Sequence, residues 1–182
     1  MEHPLNQFTR CPKCGSSQFI IHNVKSKRCE NCHFIYYFNP SAATVAVIVN
    51  DQNELLVCRR AKSPAKGTLD LPGGFVDSYE TGEEAVQREV KEETGLEVVK
   101  TTYLFSIPNI YEYSGFTVHT LDLFYFCSVS HTSHLLARDD VEATWFMPWA
   151  DVSVEQFGLA SIRAGIERLL AKKDLVNIKQ DM

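Results

Sequence analysis

Short apolar runs rich in β-branched and aromatic residues alternate with polar turns through the middle of the chain. Runs of this length and composition predict strands that pack against a core. The segments predicted as strands are 44–49, 54–60, 98–107, 117–129 and 142–147. Residues 51–53 are predicted to turn the first strand into the second, and residues 110–115 to connect the two long strands.

Two other segments show the spacing of a helix. Thr81 and Glu84 form a T-x-x-E capping box, which predicts a helix that begins at Gly82, and Gly95 lies where a left-handed cap would end it. Apolar residues also recur at helical spacing in residues 158–171, at Leu159, Ile162, Ile166, Leu169 and Leu170. A mixed sheet held between two helices fits this order, so we expect an α/β fold.

The first of these helices carries a cluster of acidic residues. Glu89, Glu92 and Glu93 are spaced i, i+3, i+4, which places three carboxylates on one face. Because clustered anions repel one another, either water screens them on a solvated face or a hard divalent cation binds them, and oxygen ligands suit Mg²⁺ or Mn²⁺. Just before the helix, Gly73 and Gly74 predict a turn where the backbone approaches another group closely.

The stretch from Gly74 resembles the signature of the Nudix hydrolases, G-x5-E-x7-R-E-U-x-E-E-x-G-U, in which U is apolar. All fixed positions match at the same spacing: Gly74, Glu80, Arg88, Glu89, Val90, Glu92, Glu93, Gly95 and Leu96. A complete match over this length is far more specific than a motif of a few residues. The resemblance implies an α/β/α sandwich with a mixed sheet, and hydrolysis of a nucleoside diphosphate linked to a second group.

The resemblance also implies roles for individual residues. The Gly73 carbonyl and the carboxylates of Glu89, Glu92 and Glu93 would hold catalytic Mg²⁺ or Mn²⁺. Arg88 would orient Glu89 and pair with Glu80. Water would attack one phosphorus, and one of the glutamates or a carboxylate from a distant loop would take its proton.

A further acid is implied just before the last predicted strand. The run of residues 137–145 offers Asp139, Asp140 and Glu142. By resemblance to the zinc-ribbon members of the family, Asp139 or Glu142 would be an extra metal ligand or the general base. The alternative is a polar loop that caps a strand.

Two C-x2-C pairs lie near the N-terminus and are separated by fourteen residues: Cys11, Cys14, Cys29 and Cys32. Paired knuckles of this kind indicate a tetrahedral Zn²⁺ site of four thiolates, with disulfide pairing as the alternative. Segments 18–22 and 25–29 suit a short hairpin, so we expect a zinc ribbon that needs its metal to fold. His22 and His33 are near enough to act as ligands, although four cysteines already close the site.

We therefore expect a zinc ribbon in residues 1–36 and a Nudix domain in residues 37–182. This layout resembles the zinc-ribbon Nudix proteins, which include NADH pyrophosphatases and enzymes that hydrolyse ADP-ribose or FAD. The resemblance implies a small nucleotide substrate and raises the expectation of a homodimer. The role of the ribbon stays open, because Lys25, Lys27 and Arg28 suit either nucleic acid or a solvated edge, and a structural or dimerisation role is equally compatible.

One segment departs from the NADH pyrophosphatases, which carry a Ser-Gln-Pro-Trp-Pro-Phe-Pro-x-Ser array after the signature. In residues 105–114 only Ser106 and Pro108 match that array. The sequence therefore favours ADP-ribose, FAD or another dinucleotide-like substrate. Tyr111, Tyr113 or Phe116 would stack on a base, or else pack against the strand.

Composition limits the remaining classes. The 182 residues are 45% hydrophobic and 23% charged, with a net charge of −5, which is typical of a globular protein without a general attraction to nucleic acid or anionic lipid. No apolar run is long enough to span a membrane, and the N-terminus lacks the pattern of a signal peptide, so we expect a cytoplasmic protein with reduced thiols. The competing class is a regulator that senses a nucleotide and uses the ribbon to bind nucleic acid or a partner.

Overall fold

A computed structural model describes residues 3–132, 135–139 and 141–171. The chain divides into two compact units, Met1–Pro40 and Ser41–Met182. The first unit holds an antiparallel sheet of β1 (Phe19–Asn23), β2 (Ser26–Cys29) and β3 (Ile35–Tyr37). Strands β1 and β2 form the hairpin predicted between the two cysteine pairs.

Within its described residues, the second unit contains two three-stranded sheets. Its strands are β4 (Ser41–Val47), β5 (Glu54–Arg60), β6 (Leu69–Asp70), β7 (Val98–Tyr113), β8 (Phe116–Val129) and β9 (Val141–Pro148). Strand β4 is parallel to β8, which is antiparallel to β7, so the predicted mixed sheet is confirmed in the order β4-β8-β7. The antiparallel sheet β6-β5-β9 is a second sheet that the sequence pattern did not separate from the first.

The two helices, α1 (Gly82–Thr94) and α2 (Ala160–Ala171), pack on opposite faces of the mixed sheet. Strand β4 shows this arrangement, because its side chains alternate between faces. Val45 and Val47 belong to the core that contains Ile162 and Ile166 of α2, whereas Ala46 lies in the core with Val86 of α1. The α/β/α sandwich is therefore confirmed, and neither helix is long and apolar enough to cross a membrane.

The connection predicted for residues 110–115 is wrong. Strand β7 continues to Tyr113, and only Ser114 and Gly115 turn the chain into β8, with φ angles of 52° and 71°. Pro108 lies inside β7, which the strand tolerates because β7 is an edge of its sheet and a proline there need not donate a ladder hydrogen bond. As a result, the β7–β8 hairpin carries Tyr111 and Tyr113 on paired strands rather than in a loop.

Candidate active site

The loop that follows β6 lies along β4 as if it were an additional strand. Three backbone hydrogen bonds join them: Ala46 N–H to Pro72 O at 2.7 Å, Thr44 N–H to Gly74 O at 2.8 Å, and Val76 N–H to Ala42 O at 3.0 Å. Gly73 has φ +151°, and a Cβ there would lie 2.0 Å from the Thr44 carbonyl oxygen. Only glycine therefore fits at residue 73, as the sequence predicted for a close backbone approach.

Helix α1 begins and ends where its local sequence predicts. Thr81 Oγ1 accepts from the Glu84 amide at 3.2 Å, and Glu84 Oε2 accepts from the Thr81 amide at 2.8 Å. Gly95 ends the helix at φ 72°, in the left-handed region. Because Val86 and Val90 face the core, the helix turns its acidic face toward the glycine loop.

Arg88 connects three of the acidic signature residues. Its guanidinium donates to both oxygens of Glu80, at 2.8 and 2.9 Å, and to Glu89 Oε1 at 2.8 Å. It also donates to Glu92 Oε2 at 3.1 Å and to the Phe75 carbonyl at 3.0 Å. The planar fork of arginine suits this role, since five N–H groups serve partners in several directions. Arg88 thus fixes the positions of three carboxylates and of the glycine loop.

Glu93 is held separately from the other acids. Its side chain is buried, and Oε2 accepts from the Gly73 amide at 3.0 Å. Glu89 is packed closely against the same loop, because a Cβ on Gly74 would lie 2.5 Å from Glu89 Oε1. Glu92 is exposed. The three glutamates are therefore graded from buried to exposed along one side of the helix.

The surroundings shift the proton affinities of these carboxyl groups. Hydrogen bonds from Arg88 lower the pKa of Glu80. Burial raises the pKa of Glu89, although hydrogen bonding and charge attraction from Arg88 oppose this shift. The Arg88 guanidinium is itself made harder to deprotonate, because the hydrogen bond to Glu80 raises its pKa. Glu80 and Arg88 are thus a stable ion pair that supports Glu89.

The donor set of this region fits a hard divalent cation. Glu89, Glu92 and Glu93 supply carboxylate oxygens, which are the ligands that Mg²⁺ and Mn²⁺ prefer. Among the described residues, however, the four cysteines form a group that could hold a metal ion, and the three glutamates form no such group. They are instead divided between Arg88 and the Gly73 amide.

The structure brings the segment with the additional acids to the end of α1. The amides of Leu136 and Arg138 donate to the carbonyls of Thr94 and Glu93, both at 3.0 Å. Asp139 follows with φ 52° and is exposed, Glu142 is exposed on β9, and Asp140 lies outside the described residues. Backbone contact thus places this segment beside Glu93. Val141, from the same segment, lines a cavity next to the glycine loop.

A cavity of about 390 Å³ opens beside Gly73, Gly74 and Glu93, on the α2 side of the mixed sheet. Tyr111 and Tyr113 line it, as a base-stacking role requires, whereas Phe116 is not among its lining residues. Arg60 also lines it, but its guanidinium pairs with Asp70 and donates to Pro64 O at 2.8 Å. Burial raises the pKa of Asp70, and the charge of Arg60 opposes this shift.

Sequence reasoning missed the polar groups inside this cavity. Asp122 is buried on β8 and accepts from Thr120 Oγ1 at 2.6 Å and from Ser161 Oγ of α2 at 2.5 Å. Asn109 is buried on β7 opposite Thr120. A signal was present, because Thr120 and Asp122 occupy the same alternating positions as apolar Phe124 and Phe126. Two polar residues on an otherwise apolar strand face mark a cavity or a satisfied network.

The first unit holds the four cysteines in one cluster. Their sulfur atoms all lie within 4.8 Å of one another, with Cys11 Sγ 3.7 Å from Cys32 Sγ and Cys14 Sγ 3.6 Å from Cys29 Sγ. A hydrogen bond from the Ser16 amide lowers the pKa of Cys14 to about 6, which favours a thiolate. None of these four cysteines forms a disulfide, so the donor set fits Zn²⁺ as the zinc ribbon prediction requires.

The two knuckles share one backbone geometry. Gly15 N–H donates to Cys11 O and His33 N–H donates to Cys29 O, both at 2.9 Å. Gly15 and His33 have φ angles of 74° and 60°. Both His22 and His33 are exposed and lie outside the cysteine cluster, as expected for a site of four thiolates.

The predicted basic edge of the hairpin is partly wrong. Lys27 is buried, donates to Phe8 O at 2.7 Å and lies over the Phe19 ring. Arg28 lies 3.5 Å from Glu30. Lys27 is therefore an internal support of the first unit and not a surface cation for nucleic acid.

Comparison with known proteins gives one family for most of the chain. The model of the NUDIX domain matches residues 39–170. An ADP-ribose pyrophosphatase of Methanocaldococcus jannaschii is 52% identical over 60 residues, which are 33% of this chain and 35% of that protein. The NAD-capped RNA hydrolase NudC of Vibrio cholerae serotype O1 is 28% identical over 174 residues, which are 94% of this chain and 59% of that protein.

Solved structures show the same fold. The crystal structure of a NUDIX hydrolase from Nitrosomonas europaea matches with a TM-score of 0.66 and 18% identity, and the match covers 91% of this chain and 92% of that chain. At this identity the likeness shows the fold alone. The chain spans 35% and 59% of the lengths of the two curated relatives, so those proteins contain further sequence beyond the matched part.

Proposed function

The chain belongs to the NUDIX family, and on that premise we propose that it is a metal-dependent pyrophosphohydrolase. It hydrolyses the diphosphate bond of a nucleoside diphosphate that is linked to a second group. The observation that carries the proposal is the hydrogen bond from the Gly73 amide to the buried Glu93 carboxylate. It joins the glycine loop to the acidic helix beside a cavity that can hold a small molecule. Cavities of this size are typical of small-molecule sites.

The proposed metal site uses the residues named by the signature. Glu89, Glu92 and Glu93, with the Gly73 carbonyl, would hold Mg²⁺ or Mn²⁺, and Asp139 or Glu142 would supply a further ligand or the general base. Bound divalent cations neutralise phosphate oxygens and lower the pKa of a bound water. Glu89 and Glu92 each use one carboxylate oxygen for Arg88, so the second oxygen of each would bind the cation while Arg88 keeps its bidentate pair with Glu80.

The chain's own groups then have defined tasks in the proposed reaction. A carboxylate accepts a proton from the attacking water as its oxygen bonds to one phosphorus. The bridging P–O bond breaks, and its electron pair leaves with the second phosphate. Arg88 keeps Glu89 in place during these steps, while the buried position of Glu93 limits access of further water.

For the substrate we propose a dinucleotide-like diphosphate such as ADP-ribose, FAD or NADH. The relatives support this class, since one is named for ADP-ribose and the other for an NAD cap on RNA. Both compounds join an adenosine diphosphate to a second ribose. Tyr111 and Tyr113 in the cavity offer ring faces for a base, and stacking on an aromatic side chain contributes about 1–3 kcal/mol per base.

A second candidate is hydrolysis of the same bond at the end of a capped RNA. The observation that favours it is the alignment with an NAD-capped RNA hydrolase over 94% of this chain. The buried position of Lys27 weakens the idea that the cysteine-containing unit supplies a basic surface for that RNA. Salt dependence separates the two candidates, because contacts with several phosphates make binding fall steeply with salt.

The test is a hydrolysis screen of ADP-ribose, FAD, NADH and NAD-capped RNA, with Mg²⁺ and Mn²⁺ supplied separately and products identified by mass. In water enriched with ¹⁸O, the labelled product identifies which phosphorus was attacked. Glu93→Gln should lose most turnover and stay folded, because glutamine can still accept from the Gly73 amide. Glu97→Gln is the matched control, since Glu97 is exposed and pairs only at the surface with Lys91.

Release of AMP from one of these substrates, lost in Glu93→Gln and kept in Glu97→Gln, supports the proposal and identifies the substrate. No turnover of any compound by folded protein contradicts it. In that case calorimetric binding of ADP-ribose without hydrolysis identifies a nucleotide sensor.

A further inference from the structure

The sheet face beneath α2 changes from apolar to polar at one position. Along β8 the side chains of Phe126 and Phe124 are buried in the core with α2, and the next two on this face are Asp122 and Thr120. On β7, Ile107 pairs with Asp122 and Asn109 pairs with Thr120. Asn109, Thr120 and Asp122 therefore form a polar row, and all three line the cavity.

Asn109 in this row is buried with an unsatisfied acceptor. Its side chain is only 5% exposed, and Oδ1 has no hydrogen-bond partner within the described chain. A buried acceptor without a partner is costly, so native structures rarely keep one unless a ligand or water completes it. Because Asn109 lines the cavity, a bound molecule can reach this oxygen.

The neighbouring groups leave the row rich in acceptors. The hydroxyls of Thr120 and Ser161 donate to Asp122, so their protons are already used. The Asp122 carboxylate and the Thr120 oxygen retain lone pairs, as does Asn109 Oδ1. A ligand that reaches Asn109 Oδ1 must supply a hydrogen-bond donor, and within the row only the side-chain NH2 of Asn109 can donate to a ligand carbonyl.

The register places this row within one nucleoside of the glycine loop. Phe75 of the loop bridges to Ala43 of β4, Ala43 pairs with Asp122 of β8, and β8 pairs with β7. Ile107, which pairs with Asp122, is therefore three strand spacings from the loop, about 14 Å at the spacing of paired strands, and Asn109 lies two residues farther along β7. A single phosphate at the loop cannot reach that far, whereas a nucleoside attached to it can.

We propose that Asn109 Oδ1 accepts a hydrogen bond from the nucleoside of the substrate, and that Asn109, Thr120 and Asp122 select a nucleoside presenting a donor there. The donor is an exocyclic amine of the base or a hydroxyl of the ribose. This inference rests on the proposed function, because it assigns the phosphates to the glycine loop. It makes Asn109 a specificity-determining residue and favours amino over keto bases if the donor is on the base.

Binding of product-like nucleotides tests the proposal without turnover. Calorimetry with Mg²⁺ would compare AMP, IMP, 2′-deoxy-AMP and 3′-deoxy-AMP on the wild-type protein and on Asn109→Leu and Asn109→Asp. IMP replaces the amine by a carbonyl, and each deoxy compound lacks one hydroxyl. The matched control is Ile110→Ala, because Ile110 is the next residue of β7 and is exposed on the opposite face.

We expect AMP to bind at least tenfold more tightly than one of the three analogues. Asn109→Leu should reduce that ratio to near one, whereas Asn109→Asp, which keeps an acceptor, and Ile110→Ala should preserve it. Weaker binding of IMP than of AMP identifies the base as the donor. Weaker binding of a deoxy compound than of AMP identifies the sugar hydroxyl as the donor. Equal binding of all four nucleotides to the wild-type protein, or no binding of AMP, overturns the proposal whether or not the variants fold.

The outcome is independent of the hydrolysis screen. Turnover of ADP-ribose without any AMP preference would leave the proposed function standing and remove the role of Asn109. An AMP preference that depends on Asn109, without turnover of any substrate, would support the subsite and contradict the enzyme.

Discussion

The backbone amide of Gly73 donates a hydrogen bond of 3.0 Å to Glu93 Oε2, which joins the glycine loop to the acidic helix. The carboxylate is buried, and a buried charge without a partner is costly. Because the same loop is bonded to β4 on its other side, the position of Glu93 depends on the backbone path at Gly73 and Gly74. The two glycines therefore have separable effects on stability and on activity.

Gly73→Ala should destabilise the fold. The added Cβ would lie 2.0 Å from the Thr44 carbonyl oxygen, and both atoms belong to backbone that is fixed in the sheet. We expect the free energy of unfolding, measured with urea, to fall by more than about 2 kcal/mol. Gly115→Ala is the control, because Gly115 also has a positive φ of 71° but nothing within 4 Å of its Cβ, so about 1 kcal/mol is expected. Equal losses in the two variants would contradict this account.

Gly74→Ala should impair activity more than stability. Here the Cβ would meet the carboxylate of Glu89 at 2.5 Å, and a side-chain end can move away more cheaply than backbone. Displacing a carboxylate of the proposed metal site by a fraction of an ångström would misplace the reacting groups. We expect kcat/KM to fall by about tenfold or more and the Mn²⁺ concentration needed for half-maximal activity to rise. The free energy of unfolding should fall by less than in Gly73→Ala. Unchanged kcat/KM would remove Glu89 from the proposed metal site.

Arg88→Lys should not be a conservative change. Arginine serves Glu80, Glu89, Glu92 and the Phe75 carbonyl at once, whereas a lysine ammonium has one nitrogen and cannot reach all of them. We expect a loss of about 1–3 kcal/mol in unfolding free energy and a fall in kcat of about tenfold. Lys91→Gln, which removes an exposed pair with Glu97, should change both by little. Wild-type kcat in Arg88→Lys would show that the network is not needed for catalysis.

The parts that the sequence predicted well depend on local signals. Thr81, Glu84 and Gly95 determine the ends of α1 through contacts within a few residues, and those ends are confirmed. The cysteine knuckles are likewise short turns with characteristic spacing, and the structure brings their four sulfurs together. The fold followed because a long, complete signature identifies the family, which the match over residues 39–170 confirms.

The parts that the sequence missed depend on distant pairing. Arg60 meets Asp70 only because β5 and β6 are adjacent, and Ser161 of α2 reaches Asp122 across 39 residues of sequence. The predicted strand stops at Ile107 because a proline such as Pro108 usually ends a strand. The edge position of β7 allows the strand to continue through Pro108. Lys27 was expected at the surface because charge usually predicts exposure, but the Phe8 carbonyl and the Phe19 ring compensate its burial. The roles of Glu89, Glu92, Glu93, Asp139 and Glu142 stay predictions.

Zinc should be needed to fold the first unit. Its buried cluster consists of Cys11, Phe19 and Cys29, with Cys32 and Phe34 packed against it, so metal binding would supply much of the folding free energy. By elemental analysis we expect one zinc ion per wild-type chain and a value well below one in Cys29→Ser. We also expect faster amide hydrogen exchange within residues 3–40 of that variant. Cys127→Ala, at a buried cysteine outside the cluster, should retain the zinc. Full zinc content in Cys29→Ser would exclude the four-thiolate site.

The capping box of α1 should make stability depend on pH in a defined direction. The Thr81 amide, and to a smaller extent its side chain, lowers the pKa of Glu84 below the ordinary value of 4.5. An acid whose folded pKa is depressed stabilises the protein above its unfolded pKa and loses that contribution as pH falls through the folded pKa. Glu84→Gln keeps a side-chain acceptor for the Thr81 amide but removes the charge, whereas Glu84→Ala removes both.

Urea unfolding at several pH values between 3 and 7 would separate charge from hydrogen bonding. We expect wild-type protein to be more stable than Glu84→Gln at pH 7, and the difference to shrink toward zero below pH 4.5, where Glu84 becomes protonated. Glu84→Ala should be less stable than Glu84→Gln throughout, because it leaves the Thr81 amide without its side-chain partner. Glu80 titrates in the same window and interacts with Glu84, so the difference reports the Glu84 charge together with its repulsion of Glu80. A gap between wild type and Glu84→Gln that does not change with pH would show that the Glu84 charge contributes nothing to the cap.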